Sequence, residues 1–201
     1  MIDFSLSPEL EQIRATTRDY IENVVKPIEA RIDEADRASL VEGIIEMRKE
    51  AQSRGLWLPH MPKEWGGMGL GHVELAMVQS EAAKARFGPY ALNCQAPDEG
   101  NMHTLLHWAT EEQQQKYLKP LCDGFARSCF AMTEPEVAGS DPTLIQTRGY
   151  QDGDEWVING HKWFISQARS STFAILICRT EEQPDSKQAA NTAFIIDLPH
   201  E

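Results

Sequence analysis

A candidate ligand-binding stretch runs from Ser128 to Asp141, with the sequence SCFAMTEPEVAGSD. Its alternating residues up to Thr133 predict a strand, and Pro135 ends that strand because proline cannot donate a ladder hydrogen bond. Amides and carbonyls at such a strand end can pair with the edge of a planar heterocycle, beside the Thr133 hydroxyl. Gly139 has no Cβ, so Ser140 and nearby amides can approach a phosphate or another ligand oxygen. Taken alone, these residues fit a ligand site and a structural turn equally well.

Other chemical motifs are weaker. His103 and His107 lie four residues apart on a predicted helix, but the glutamate of HExxH is replaced and no third ligand is obvious, so no metal site is predicted. The sequence contains no GxSxG motif for a nucleophilic serine. Residues 66–71 contain a GxGxG string, yet it follows no strand of a βαβ unit and predicts a tight loop between helices. The four cysteines form no CxxC pair, which indicates free, packed thiols in a reducing cytosol.

The composition is that of a globular protein and disfavours two classes of partner. The chain has 201 residues, 41% hydrophobic and 25% charged, with a formal net charge of −12. This charge argues against binding to nucleic acid and to anionic membrane surfaces. The N-terminal segment has no apolar signal-peptide core, and no run of about eighteen apolar residues predicts a membrane span. We therefore expect a cytoplasmic protein.

Helical signals dominate the first part of the chain. Ser7 is a predicted N-cap with Pro8 in the first helical position, and Pro27 is expected to end or kink the helix that follows. The sequence from Thr110 to Gln113 fits a capping box. In this motif the side chain of each of the two end residues accepts a hydrogen bond from the backbone amide of the other. The other predicted helices are 40–54, followed by Gly55; 73–87, ended by Gly88-Pro89; 98–108; and 110–121.

Strand signals begin near Phe125. Asp152-Gly153 and Asn159-Gly160 are dipeptides typical of tight hairpin turns. The predicted strands after residue 150 are 155–158, the apolar run 172–178 and 192–198.

The expected fold class is α+β. An N-terminal all-α helical domain, residues 1–124, precedes an antiparallel β-barrel-like domain, residues 125–201. No element after Leu198 closes the sheet, so this second domain is expected to be truncated, because natural proteins usually cover sheet edges.

Four segments, in order, resemble signatures of the acyl-CoA dehydrogenase family, and together they span essentially the whole chain. One segment alone is moderate evidence, but four in the family's order are specific. The resemblance implies an N-terminal all-α domain, a middle β domain and a C-terminal helical domain, absent here, with FAD between them. The segments are Trp57-Leu58-Pro59 to Gly71; Thr110 to Gln114 with Leu118 and Pro120 to Gly124; Cys129 to Pro135 with Gly139-Ser140-Asp141; and Trp156 to Ser166.

The resemblance also implies the cofactor contacts. The strand before Pro135 would lie along the isoalloxazine ring, with Thr133 at its pyrimidine edge. Ser140 would reach the flavin pyrophosphate or the CoA end of the substrate, and a second hairpin strand would cover the flavin, with the Ser166 hydroxyl near N5. The implied FAD-binding residues are Phe130, Met132, Thr133, Gly139, Ser140, Phe164, Ile165 and Ser166, and Ser140 is also the implied substrate-binding residue.

Some positions depart from the common family pattern. Residues 136–138 carry one residue more than the usual loop, and a sub-branch of the family shares this longer form. Phe164 stands where tryptophan is more usual, Ser166 replaces a threonine and keeps the hydroxyl, and Gln167-Ala168 replaces the usual turn.

The activity that the resemblance implies is α,β-desaturation of an acyl-CoA in fatty acid β-oxidation, with the hydride passing to flavin N5. The family's base is a carboxylate of the C-terminal domain, and neither Glu134 nor Glu136 has that role, so no catalytic residue is expected in this chain. The chain alone is expected to be inactive and to bind FAD weakly if at all. An electron-transfer flavoprotein and a homodimer or homotetramer are the implied partners. An acyl-CoA oxidase or flavin monooxygenase of the same fold, and a non-catalytic short paralogue or assembly subunit, remain alternatives.

Overall fold

The computed structural model of the chain describes residues 6–139, 141–180 and 191–199. They form a helical unit, residues 6–107 with Cys122–Gly124, and a sheet unit, Trp108–Leu121 with the described part of 125–199. This agrees with the expected α+β fold class, whereas a domain boundary at residue 124 stays a prediction. Within the described ranges, no helix is long and apolar enough to cross a lipid bilayer.

The first helical segment passes through its proline. Helix α1 spans Pro8–Tyr20, and the Ser7 hydroxyl accepts a hydrogen bond from the Leu10 amide at 3.2 Å, which confirms the predicted N-cap. A π-helical turn over Ile21–Val25 then leads into α2, Lys26–Glu29. Pro27 therefore neither ends the segment nor breaks it, because the widened turn accommodates a residue that lacks an amide hydrogen.

The remaining helices of this unit begin and end largely where local signals place them. The Asp36 carboxylate caps the next helix by accepting from the amides of Ala38 and Ser39, and Gly55 follows its end at φ 69°. Gly88-Pro89 starts a short helix instead of ending the helix before it, because proline suits a first helical turn. The helices are α3 (Arg37–Ser53), α4 (His72–Ala82), α5 (Gly88–Ala91) and α6 (Asp98–Trp108).

Two of the polar side chains buried in the helical unit have clear hydrogen-bond partners. Tyr20 is fully buried, and its hydroxyl donates to the Met47 carbonyl at 2.7 Å. Glu81 is 3% exposed and accepts hydrogen bonds from Arg18 and Lys84. The Arg18 hydrogen bond is the main reason that the pKa of Glu81 falls to about 2, despite the opposing effect of burial.

A short helical segment precedes the sheet. The Gln113 amide donates to the Thr110 hydroxyl at 3.3 Å and the Thr110 amide donates to the Gln113 side chain at 3.0 Å, which confirms the capping box. Here too a π-helical turn comes just before a proline, Pro120. The segment consists of α7 (Glu111–Gln113), the π turn Gln114–Leu118 and α8 (Lys119–Cys122).

The sheet is mixed and has β4 at its centre. β5 pairs antiparallel with β4 along its whole length, while β1 and then β2 pair parallel with β4. The sheet was expected to be antiparallel, and the parallel β1–β4 and β2–β4 pairs correct this to a mixed sheet. The β2–β3 hairpin lies between β1 and β4 in the chain. The chain therefore comes back to the start of β1 before β4 begins, and β1 and β4 run in the same direction. The strands are β1 (Ser128–Ala131), β2 (Arg148–Asp152), β3 (Glu155–Asn159), β4 (Phe173–Arg179) and β5 (Asn191–Asp197).

Only one of the two predicted hairpin turns forms. Asp152 pairs with Glu155 across a turn in which Gly153 has φ 63°, as predicted. Asn159-Gly160 ends β3, but no strand follows it among the described residues 161–172. Gly160 is needed for close approach instead, since a Cβ there would lie 2.5 Å from the Thr147 Cβ.

Candidate functional site

A buried carboxylate, Glu134, joins three segments of the sheet unit. It lies just beyond the end of β1 and is 4% exposed. One carboxylate oxygen accepts from the Lys162 ammonium group at 2.8 Å and from the Thr147 amide at 2.8 Å, and also from the Thr147 hydroxyl. The other oxygen accepts from the Gln146 amide at 2.7 Å. Glu134, Thr147 and Lys162 are referred to below as the Glu134 cluster.

The same lysine ties two of the predicted ligand-binding segments together. Lys162 is 8% exposed at its side chain and also donates to the Met132 carbonyl at 2.8 Å. The next amide, that of Trp163, donates to the Thr133 carbonyl at 3.1 Å. Residues 162–163 therefore run beside residues 132–134, and the two segments that resemble the family's flavin motifs are direct neighbours.

The donors keep Glu134 charged. Burial alone raises the pKa of a carboxyl group, but hydrogen bonds from Lys162, Thr147 and the Gln146 amide outweigh it and lower the pKa of Glu134 from 4.5 to about 2. A carboxylate with so low a pKa and with its lone pairs engaged is a weak proton acceptor at neutral pH. This arrangement suits a residue that positions backbone.

The β1 side of the site combines a hydroxyl with bare backbone. Thr133 is half-buried, and its hydroxyl has no hydrogen-bond partner among the residues that the structure describes. Gly139 packs against it, because a Cβ at Gly139 would lie 2.8 Å from the Thr133 Cγ2. Phe130 is 37% exposed, and strand alternation places it on the opposite face from Ala131. Met132 is half-buried and contributes its carbonyl to Lys162.

The second segment presents an exposed aromatic ring on a strained backbone. Phe164 is 81% exposed and has φ 52°, a left-handed conformation that is costly for a bulky residue. Its ring contacts that of Trp163, with centroids 4.5 Å apart. Ile165 packs on the apolar cluster that includes Ala131 of β1. Ser166 is exposed, and within the described ranges its hydroxyl makes no hydrogen bond.

Ser140 lies outside the described residues, so its predicted contacts stay a prediction. Glu136 is exposed in the loop that follows Pro135. The structure thus brings Met132, Thr133 and Gly139 close to the segment that carries Phe164, Ile165 and Ser166, whereas the Phe130 side chain lies on the other face of β1. The roles of all these residues in binding a cofactor remain predictions.

The weaker motifs take structural positions in the helical unit. His103 stacks near His107, with ring centroids 6.4 Å apart, but its nearer neighbour is His60 at 5.2 Å. Burial lowers the pKa of His60 to about 4, so this ring is neutral at neutral pH. In the part of the chain that the structure covers, no group of three or more side chains is arranged to hold a metal ion. Gly67 sits in a tight loop, since a Cβ there would lie 2.0 Å from the Met61 carbonyl oxygen.

Sequence reasoning missed the Glu134 cluster as a unit. Lys162 and Thr147 lie 28 and 13 residues from Glu134 in the chain, so no local spacing links them. The available signal was a glutamate before Pro135 at the end of a buried strand, because a carboxylate in that place requires donors or a cation nearby.

Comparison with known proteins agrees with this geometry. Residues 7–125 match the family "Acyl-CoA dehydrogenase, N-terminal domain", and residues 129–201 match "Acyl-CoA dehydrogenase, middle domain". The chain is 37% identical over 207 residues to the "Probable acyl-CoA dehydrogenase FadE2" of Mycobacterium tuberculosis, covering 98% of this chain and 50% of that protein. It is 35% identical over 187 residues to human "Acyl-CoA dehydrogenase family member 11", covering 92% of this chain and 23% of that protein.

A solved structure from Mycobacterium abscessus, assigned as an acyl-CoA dehydrogenase, superposes with a TM-score of 0.88 at 31% identity. The match covers 96% of this chain and 51% of the other. The chain therefore spans about half the length of that structure and of the mycobacterial relative FadE2.

A helical domain followed by an open sheet domain is the arrangement that the first two domains of acyl-CoA dehydrogenases share with this chain. The chain belongs to the acyl-CoA dehydrogenase family. Members of this family are FAD-dependent oxidoreductases. The donor set fits such a cofactor, because the hydroxyls of Thr133 and Ser166 lack hydrogen-bond partners among the described residues and Gly139 is exposed.

Proposed function

We propose that this chain carries the flavin-binding segments of an FAD-dependent acyl-CoA dehydrogenase, which oxidises the α,β bond of an acyl-CoA thioester. The observation that carries the proposal is the pairing of residues 132–134 with Lys162 and Trp163 through hydrogen bonds of 2.8, 2.8 and 3.1 Å. Two segments that resemble separate flavin motifs meet there. Membership of an FAD-dependent family supports the same function.

Several of the proposed contacts use groups of the described residues, whereas Ser140 lies outside them. FAD, when bound, supplies the two-electron acceptor for the oxidation. The Thr133 and Ser166 hydroxyls would hydrogen-bond to its polar edge, and the exposed Phe164 ring would exclude water from the flavin face. Gly139 allows close approach of the backbone. The proposed set is Phe130, Met132, Thr133, Gly139, Ser140, Phe164, Ile165 and Ser166, and Ser140 is also the proposed substrate-binding residue.

The proton-abstracting base is proposed to be a carboxylate of the C-terminal helical domain that the family resemblance implies. Glu134 is fully engaged by its donors, and it holds the two segments together instead. We further propose an acyl-CoA substrate, an electron-transfer flavoprotein as electron acceptor and a homodimeric or homotetrameric intact enzyme. On this view the 201 residues alone lack activity.

Flavin binding is tested directly by an FAD titration of the isotopically labelled 201-residue chain, followed by amide chemical shifts. We expect shifts at residues 130–134 and 164–166, even if the affinity is weak. Ser166→Ala should weaken binding by about fivefold, the value of one hydrogen bond. Ser170→Ala, an exposed serine close by in sequence, is the matched control and should not change it. Shifts confined to other residues, or none at millimolar FAD, would overturn the site.

A second measurement separates the site from the complete reaction. The chain is incubated with FAD, short- and long-chain acyl-CoA and an artificial electron acceptor, and enoyl-CoA is measured by mass spectrometry. We expect no product because the proposed base belongs to the C-terminal helical domain. Enoyl-CoA formation that Glu134→Gln abolishes would show that the base has been placed wrongly.

A further inference from the structure

A polar cleft of about 600 Å³ shares no residue with the proposed flavin site. It lies where β2 begins and β4 ends, and a ligand-sized group fits a space of this volume. Its lining residues are Thr143, Leu144, Ile145, Gln146, Arg148 and Arg179.

Two arginines project into this cleft from adjacent backbone positions. Arg148 is the first residue of β2, Arg179 is the last residue of β4, and they are register partners where the two strands run parallel. Neighbouring strands lie about 4.8 Å apart, and register partners share a sheet face. The Arg179 amide donates to the Thr147 carbonyl at 2.8 Å, which fixes the two strand ends against each other.

The structure supplies no acidic partner for either guanidinium group among the described residues. Asp141, which precedes the cleft residues in the chain, accepts instead from the amide and the hydroxyl of Thr143, at 2.9 and 2.6 Å. Two like charges side by side on a sheet repel each other. In a chain with a net charge of −12, this local excess of positive charge stands out as a place where a bound anion would be stabilised.

We propose that this cleft binds a phosphate group held between Arg148 and Arg179, with the side-chain amide of the exposed Gln146 as a further donor. Guanidinium groups bind phosphate oxygens through paired hydrogen bonds, and two of them can hold one phosphate from both sides. The phosphate belongs either to a coenzyme A moiety or to a free phosphate ion. The coenzyme A source rests on the proposed function, whereas phosphate binding itself does not.

The test is isothermal titration calorimetry of the 201-residue chain, without FAD, against inorganic pyrophosphate, coenzyme A and dephospho-coenzyme A. Arg148→Gln and Arg179→Gln should each weaken pyrophosphate binding by about tenfold or more, as expected for loss of a charge-assisted pair. Arg169→Gln removes the same charge from an exposed turn of the sheet unit and should have no effect. Arg148→Lys keeps the charge but loses the forked guanidinium group. Its pyrophosphate affinity should lie between those of wild type and Arg148→Gln, and this variant serves as the test if the glutamine variant folds poorly.

The three probes distinguish the sources. Tighter binding of coenzyme A than of its dephospho form assigns the cleft to the 3′-phosphate, and equal binding of pyrophosphate and both coenzymes assigns it to a diphosphate or free phosphate. Lack of saturable pyrophosphate binding, or an equal loss in Arg169→Gln, overturns the proposal. Phosphate binding that survives while FAD causes no amide shifts would reject the proposed function and keep this site.

Discussion

Replacing Glu134 with glutamine removes the charge that faces the Lys162 ammonium group while keeping the size of the side chain. The pKa of Glu134 is about 2 in the folded chain against 4.5 for the unperturbed group. A difference of 2.5 units at about 1.36 kcal/mol per unit corresponds to about 3 kcal/mol of folding stability at pH 7. Since both side chains are nearly buried, little of this is lost to solvent screening.

The direction of the pH dependence of stability follows from the lowered pKa of Glu134. A carboxyl group whose pKa is lower in the folded state stabilises that state above its unfolded pKa, and this contribution disappears as the pH falls from 4.5 to 2. The difference in unfolding free energy between wild type and Glu134→Gln should therefore shrink from about 3 kcal/mol at pH 7 to about 2 kcal/mol at pH 3.5.

Urea denaturation at both pH values measures this difference. The double variant Glu134→Gln, Lys162→Met should recover part of the loss at pH 7, because it no longer buries an unpaired ammonium group. Glu136→Gln, an exposed glutamate two residues away, is the control. A loss that is the same at both pH values, or that Lys162→Met does not reduce, would show that Glu134 does not act through its charge.

Three further perturbations test other parts of the sheet and helical units. Gly160→Ala should destabilise the chain by about 1–3 kcal/mol in thermal or urea unfolding, because the new Cβ would lie 2.2 Å from the Thr147 Oγ1. Gly100→Ala, which adds a Cβ in open space, is the control and should not destabilise the chain. Equal effects of the two substitutions would contradict the close approach at Gly160. Phe164→Gly should leave the stability unchanged or raise it by up to about 1 kcal/mol, because glycine tolerates the positive φ of this position. The same substitution should reduce the FAD-induced amide shifts. A large loss of stability would show that the backbone at Phe164 is not strained. All four cysteines are buried, and burial raises the pKa of Cys94 to about 12, so a thiol reagent at pH 8 should label the native chain far more slowly than the urea-unfolded chain; rapid labelling of native protein would contradict this burial.

Local chemistry predicted the ends of elements well, and non-local contacts did not follow from it. The caps at Ser7 and Thr110 and the stop at Gly55 depend on a few neighbouring residues, so they could be seen in the sequence. The π-helical turns before Pro27 and Pro120 depend on how packing absorbs a proline, and the parallel β1–β4 pairing depends on a partner 45 residues away. Sequence periodicity contains neither piece of information.

The candidate site likewise combines features that local sequence predicts with contacts that it does not. Its two segments were visible as motifs, because the glycine, the hydroxyls and the proline act locally. What holds them together was not visible, since Glu134 and Lys162 come from different segments and meet only in the folded sheet unit.

The end of β1 explains why a charged cluster is needed there. β1 stops at Ala131, so the carbonyls of Met132 and Thr133 no longer have a strand partner. Lys162 and the Trp163 amide take over as donors to these carbonyls. A buried ammonium group requires a counter-charge, which Glu134 provides, and Glu134 in turn binds the amides of Gln146 and Thr147. The Glu134 cluster thus fixes the backbone of residues 132–134 after strand pairing of β1 has ended. Glu134→Gln should therefore weaken FAD binding, although Glu134 itself is not proposed to contact the cofactor.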